Sequence, residues 1–179
     1  MIIGITGTNG AGKDTAASFL VKGGFSRYSL SDILRQECDA RKLPKDRDTL
    51  ILLGNSLRKE HGAHVLAKMI LERMQQNEDD LAVIVSIRNE NEVKFLKNHP
   101  EFKLIAIDAP INERYIRAKE RSTEQDQITF DKFKHQEERE MQGEDEHTQQ
   151  LSNVINMADE FITNDGSEEE FYMKIAKLI

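Results

Sequence analysis

The chain has a single cysteine, Cys38, and no apolar run approaching the roughly 20 residues needed to span a bilayer. One thiol rules out an intramolecular disulfide, so the fold must rest on a packed core. Cations are also in the minority: 25 Lys and Arg stand against 32 Asp and Glu, giving a net charge of -7 and a pI near 5.3. That balance argues against broad, sequence-independent binding to nucleic acid, which depends on displacing counterions with many Lys and Arg. Any anionic ligand must instead be caught by a local cluster of arginines. The first residues lack the basic start and long apolar core of a secretory signal, and neither an internal repeat nor a low-complexity tract is present. The expectation is a cytoplasmic protein whose partners are small molecules, not nucleic acid or membrane. Monomer and homodimer both stay open.

A length of 179 residues suits one compact domain with a real core. Short apolar runs alternate with helical patterns, the rhythm of a parallel sheet joined by crossover helices. The expected strands are Ile2 to Thr6, Phe25 to Leu30, Leu81 to Ile87, Lys103 to Ile107 and Glu160 to Thr163. The first helix should begin near Lys13 and stop at Gly23 and Gly24, because glycine enters left-handed conformations cheaply. Leu50, Leu53 and Leu57 form an apolar stripe on a helix after Asp48, and Leu66, Met69, Ile70 and Met74 form another beyond Gly62. Ser167 with Glu170 makes a capping box for a last helix that buries Phe171, Ile175, Leu178 and Ile179. Between Ser122 and Gln150 the sequence is dense in charge, with few apolar residues besides Ile128, Phe130, Phe133 and Met141. Such a segment reads either as a lid over bound substrate or as a solvated helix, with Phe130 and Phe133 pinning it to the body. The run Gly143 to His147 reads as solvated.

The segment GTNGAGKDT, Gly7 to Thr15, matches G-x-x-x-x-G-K between an apolar strand and a helix, the context a phosphate-binding loop requires. Glycines let the backbone curl so that its N–H groups point inward, the helix start adds partial positive charge, and Lys13 neutralises phosphate oxygens. Asn9, Gly10, Ala11, Gly12, Lys13, Asp14 and Thr15 are therefore candidate nucleotide-binding residues. Asp14 is unusual, because a hydroxyl that binds magnesium normally follows the lysine. Magnesium is a hard cation and accepts carboxylate oxygen, so Asp14 and Thr15 are candidate metal ligands. A second acid normally ends a neighbouring strand, but the third strand closes on Val85, Ser86 and Ile87, with no carboxylate before Glu90. The acid absent there has a counterpart inside the loop.

Phosphoryl transfer needs positioned positive charge more than covalent help, and a phosphate acceptor needs arginines to bring two polyanions together. Arg35, Arg88, Arg117 and Arg121 follow successive expected strands, where ligands of an open parallel sheet collect, and Arg139 falls in the charged segment. With the loop, the SLSDILR stretch and the R-x-x-x-R entering the charged segment, the chain resembles the nucleoside monophosphate kinase group of P-loop proteins, adenylate kinase included. GKDT and VIVSIRNENE look more particularly like phage-type deoxynucleoside monophosphate kinases, whereas the size and the ending MADEFITNDGS look like archaeal adenylate-kinase-related proteins and dephospho-CoA kinases.

The resemblance implies an α/β, three-layer P-loop NTPase fold with about five parallel strands, helices on both faces, an acceptor-binding helical insert at 31–76 and a lid at 121–150. It implies ATP with magnesium as donor and a (deoxy)nucleoside monophosphate as acceptor. Arg35 and Arg88 would hold the acceptor phosphate and Asp32 would shape its pocket. Arg117 would stack on the donor base, Arg121 would reach the transferring phosphate, and the turn Asn164 to Gly166 would line the donor base. Lys13, Arg88 and Arg121 are the implied catalytic residues. No cysteines stand in the lid, so no structural zinc is expected. Two other readings compete: a dephospho-CoA kinase using Asp32 as base on an alcohol, and a regulatory ATPase that signals through its lid.

Overall fold

The computed structural model describes residues 1–120, 128–142 and 146–179. Its centre is a five-stranded, wholly parallel sheet in the order β2-β3-β1-β4-β5, formed by β1 (Ile2–Gly7), β2 (Ser26–Ser29), β3 (Ala82–Val85), β4 (Phe102–Asp108) and β5 (Glu160–Thr163). Every residue of β1 and β3 is buried, which explains why these strands read as unbroken apolar runs: both faces of a parallel sheet are covered by helices.

Alternation along the strands sorts side chains between two cores. On one face Ile3, Ile5, Val83, Val85, Ile105 and Ile107 pack against Ala16, Ala17 and Leu20 of α1 (Lys13–Lys22) and Phe171 and Ile175 of α9 (Glu168–Ala176). On the other, Ile2, Ala82, Ile84 and Leu104 meet α2 (Leu30–Arg41), α3 (Arg47–His61), α4 (Val65–Asn77), α5 (Glu90–Leu96) and α8 (Leu151–Asn156). The chain leaves β1 for one side of the sheet and later returns to β4 on the other. That reversal puts a crevice at the carboxyl end of β1, where ligands of such sheets bind.

Element boundaries shift from the sequence expectation for local reasons. Ser29 ends β2 and directly N-caps α2, so Leu30 belongs to the helix. β3 stops at Val85 because Ser86 turns into the left-handed region, at φ 66°. α1 ends as expected at Gly23, whose N–H bonds back to the Phe19 and Leu20 carbonyls at 3.2 and 2.9 Å. The Ser167–Glu170 capping box is present on α9, and Phe171 and Ile175 are buried, but Ile179 lies beyond the helix and is exposed. α6 (Ile111–Glu120) and α7 (Phe130–Met141) lie beside the crevice, joined by Tyr115, whose ring meets Phe130 and Phe133 edge-on. Among the described residues no helix is long and apolar enough to cross a membrane.

Gly7, the last residue of β1, has φ 132° and runs so close to β4 that a Cβ would lie 1.9 Å from the Ile107 carbonyl oxygen. Backbone cannot withdraw as a flexible side chain could. Gly7→Ala should therefore cost more than about 2 kcal/mol of stability in a denaturant titration, and a loss within a few tenths would contradict the close approach.

Candidate functional site

The loop after β1 turns into α1 through Gly12, at φ 102°. A Cβ there would fall 2.4 Å from Asn164 Nδ2, and that amide donates to the Ala11 carbonyl at 2.9 Å. Asn164, just beyond β5, thus grips the loop from outside, and the N-cap of α1, Gly12, has no side chain with which to cap the helix. The helix start keeps its electropositive end directed into the loop, as an anion cradle requires. Lys13 Nζ donates to the Thr8 carbonyl, and Thr8 Oγ1 donates to Asp108 Oδ1 at 2.6 Å, tying the loop to the end of β4. Arg114, buried on α6, donates to the carbonyls of Ala109 and Asn9 and pairs with Glu137 of α7.

A cavity of about 320 Å³ opens beside this loop at the carboxyl ends of β2 and β3. Six cations line it: Lys13, Arg27, Arg35, Arg47, Arg58 and Arg88. Lys13, Arg35 and Arg88, named from sequence, are thereby brought together, along with Asn9 and Asp14. Arg27, Arg47 and Arg58 are additions that sequence reasoning missed. Asp14 does not stand alone beside the lysine, because Arg27 on β2 donates to it at 3.1 Å. Asp32 is not in the lining; it pairs with Arg35 at 2.8 Å and Arg27 at 3.7 Å. Arg58 pairs at 2.8 Å with Glu92, both almost wholly buried. Arg47 and Arg88 share one carboxylate, Glu140 of α7. Among the described residues, six cations and two carboxylates, Asp14 and Glu140, line the cavity, and Asp32 and Glu92 pair with Arg35 and Arg58 from outside it, in a protein whose net charge is negative.

The turn carrying Arg88 is fixed from both sides. Glu92 accepts the N–H groups of Arg88 and Asn89, each at 3.1 Å, completing a capping box on α5. Asn89 Nδ2 donates to the Glu146 and Thr148 carbonyls at 2.7 and 2.8 Å, and Gln150 N–H to the Arg88 carbonyl at 2.8 Å. Glu146 and Thr148 therefore strap this turn by their backbone; of the run 143–147 read as solvated, Glu146 is exposed and His147 half-buried, and 143–145 lie outside the described residues. Ser86 occupies the position where an acid was sought. Its hydroxyl lies 3.3 Å from Ser29 and 3.2 Å from Ser31, and its left-handed backbone stores strain beside the cavity. Leu34, Leu50, Ile51 and Leu66 give the lining an apolar part, and Oε1 of Gln149, also in the lining, finds no donor among the described residues.

On the far side of the loop, both Arg117 Nη atoms donate to the Asn164 carbonyl at 3.1 Å, with Gly166 two residues along the same turn. Thr15 lies in the first turn of α1, outside the cavity lining, and Gly10, Ala11 and Gly12 form the loop backbone behind it. Arg139 points to solvent near Asp48, at 3.9 Å, while its neighbour Glu140 turns inward. Arg121 lies outside the described residues. Among the described residues no group of three or more His, Cys, Asp or Glu side chains is gathered as a metal cage.

Burial works to raise the pKa of Glu140, but the guanidinium groups of Arg88 and Arg47 outweigh it and hold the carboxyl below its ordinary value of 4.5. A depressed folded-state pKa contributes stability that is present in full above the unfolded value and lost as pH falls through the lower folded one. Denaturation midpoints measured from about pH 7 to about pH 3 should fall more steeply for the natural chain than for Glu140→Gln. Parallel acid limbs would contradict this.

The sequence matches a family model described as an AAA domain over residues 3–161. It is 32% identical over 184 aligned positions to a UPF0200 protein of Thermococcus gammatolerans, covering 100% of this chain and 94% of that one. A UPF0200 protein of Methanothermobacter thermautotrophicus is 31% identical, with 93% and 82% covered. In shape the chain is similar to TT1252 of Thermus thermophilus, at TM-score 0.64 and 20% identity with 100% and 98% covered. It is also similar to shikimate kinase of Aquifex aeolicus, at TM-score 0.55 and 18% identity with 99% and 95% covered. The fold is thus that of the P-loop kinases, and the chain belongs to the AAA domain family and to the UPF0200 proteins.

Proposed function

We propose that the protein transfers the γ-phosphoryl group of ATP, with magnesium, to a phosphorylated acceptor of the (deoxy)nucleoside monophosphate class. One observation carries this reading: Lys13 of the phosphate loop shares a single cavity with arginines from the ends of β2 and β3. A donor's triphosphate on the loop and an acceptor's phosphate on Arg35 and Arg88 would then meet within one positively charged hollow. The similarity of fold to proteins named shikimate kinase and sugar kinase supports the reaction class.

The groups lining the cavity favour a phosphate acceptor over an alcohol. An alcohol must lose a proton, and Asp32, the base that reading needs, is outside the lining and engaged by two arginines. Glu140 does line the cavity, but it too is engaged by two arginines. A phosphate acceptor is ionised already near neutral pH, so its oxygen can attack the γ-phosphorus directly as the bond from that phosphorus to the β-bridging oxygen breaks and ADP departs. Lys13 and the loop amides would hold the donor phosphates, with Arg117 and the turn from Asn164 to Gly166 beside its base. Leu34, Leu50, Ile51 and Leu66 offer the acceptor base an apolar wall, and Gln149 Oε1 offers it a hydrogen-bond acceptor. Asp14 and Thr15 would hold magnesium, which when bound neutralises charge on the β and γ oxygens.

ATP turnover measured with and without a panel of nucleoside monophosphates tests the reading, and strong stimulation by at least one of them is the expected outcome. Equal turnover throughout would instead fit a regulatory ATPase. Arg88→Ala should lower turnover by roughly a hundredfold, as expected for loss of a charge that stabilises the transition state. Turnover within a fewfold of normal would remove Arg88 from that role.

A further inference from the structure

We propose that Glu140 is an internal occupant of the acceptor's anion site, exchanged for the acceptor's phosphate dianion, and that this exchange releases the last turn of α7. The inference rests on the reading above that the cavity takes a phosphorylated acceptor. It adds Arg47 and Glu140 to the site and makes α7 the element that responds to its occupancy.

Arg47 and Glu140 are 93 residues apart in sequence, and Arg88 and Glu140 are 52 apart, yet one carboxylate is held between the two guanidinium groups. Paired guanidinium forks around one oxyanion are the arrangement that also recognises a phosphate monoester. Arg47 is the first residue of α3, where the helix end is already electropositive and a cation is unfavourable. Asp46 and Asp48 flank it and ease that placement, but the guanidinium group itself still needs an anion beside it. Glu140 supplies it in the structure described, with 5% of its side chain exposed. Phe133 and Glu140 are the buried residues of a helix that is otherwise largely solvated, so this carboxylate is one of the points at which α7 is fastened to the body.

A dianion arriving at Arg47 and Arg88 would be repelled by Glu140, and two guanidinium groups cannot neutralise all three charges. Phosphate carries the larger charge and more acceptor oxygens, so the carboxylate is the group that leaves. The helix is built to let it go locally. Thr129 caps the first turn by accepting from Lys132 N–H at 3.3 Å, Phe133 is buried beside Tyr115, and Glu137 pairs with Arg114. Those ties hold the first two turns. The last turn is held by Glu140 itself and by Ser152 Oγ, which donates to the Met141 carbonyl at 2.7 Å, with only a long, exposed pair from Arg139 to Asp48 at 3.9 Å beside them. By linkage, whatever holds that turn down must weaken acceptor binding to the same degree.

The test uses inorganic phosphate and the panel of nucleoside monophosphates as probes, with calorimetric affinities for the natural chain and for Glu140→Gln. Backbone hydrogen exchange along α7 is followed in parallel. Glu140→Gln should bind inorganic phosphate about tenfold more tightly, because two unneutralised arginines await it. In the natural chain, saturation with phosphate should speed exchange at 138–142 and leave 130–134 unchanged, whereas in Glu140→Gln the last turn should exchange fast with or without ligand. Weaker binding by Glu140→Gln, binding by neither protein, or unchanged or slower exchange at 138–142 on saturation would each overturn the exchange mechanism. If Glu140→Gln fails to fold, the exchange pattern of the natural chain decides. Phosphate behaviour as described, without stimulation of turnover by any monophosphate, would sink the proposed reaction but leave this mechanism standing. Stimulated turnover with no tightening in Glu140→Gln would do the reverse.

Discussion

One buried carboxylate, Glu92, holds together the part of the structure on which the cavity depends. It accepts from Arg58 Nε and Nη2 and from the backbone N–H groups of Arg88 and Asn89. A charge so fully removed from water is tolerable only with its lone pairs satisfied, and here they are. The consequence is positional. α3, which carries Arg58, is fastened to the start of α5, and the turn between β3 and α5 has no freedom to swing Arg88 away. Removing Glu92 would leave Arg58 as an uncompensated buried cation and the turn without its reciprocal cap.

The rest of the electrostatics follows the same logic with smaller burial. A cavity lined only by cations would be destabilised by their mutual repulsion, and here Arg27, Arg35, Arg47, Arg58 and Arg88 each have a carboxylate neighbour while Lys13 donates to the Thr8 carbonyl of the loop. Asp14 and Asp32 answer Arg27 and Arg35 at the exposed rim, where water screens the pairs and the pairing is weak. Glu140 answers Arg47 and Arg88 deeper in, where screening is poor. Rim pairs can open at little cost, whereas the inner pair, poorly screened, is harder to part. On the proposed function, that gradient would let the cavity be stable when empty and still attract phosphate.

Backbone geometry sets the other half of the site. The loop stays close to β4 and to Asn164 because glycines stand where any side chain would collide, so the cradle is held by contact on its outer surface while its inner surface faces the cavity. Ser86 departs from its preferred conformation at the end of β3, and the departure both ends the strand and turns a hydroxyl toward Ser29 and Ser31. Small polar groups there leave room that a longer acidic side chain would fill.

The sequence alone determined what depends on local rules. All five strands were placed from the sequence, β1 and β3 as unbroken apolar runs because a sheet covered on both faces needs them, and G-x-x-x-x-G-K marked the loop because its pattern is complete within seven residues. Two missed features were readable by those rules. Asn89 and Glu92 have the same capping-box spacing that identified Ser167 and Glu170, and Arg47 follows the helix-capping Asp46, where a cation needs an explanation. What only the tertiary structure decided is which charges meet. Whether Arg139 or Glu140 turns inward, whether Asp32 faces a ligand or two arginines, and which carboxylate lies between Arg47 and Arg88 all depend on how separate helices dock. Ion pairs between distant residues leave no period or spacing in the chain, because the energy that selects them arises only when folding brings those residues together and removes water from between them.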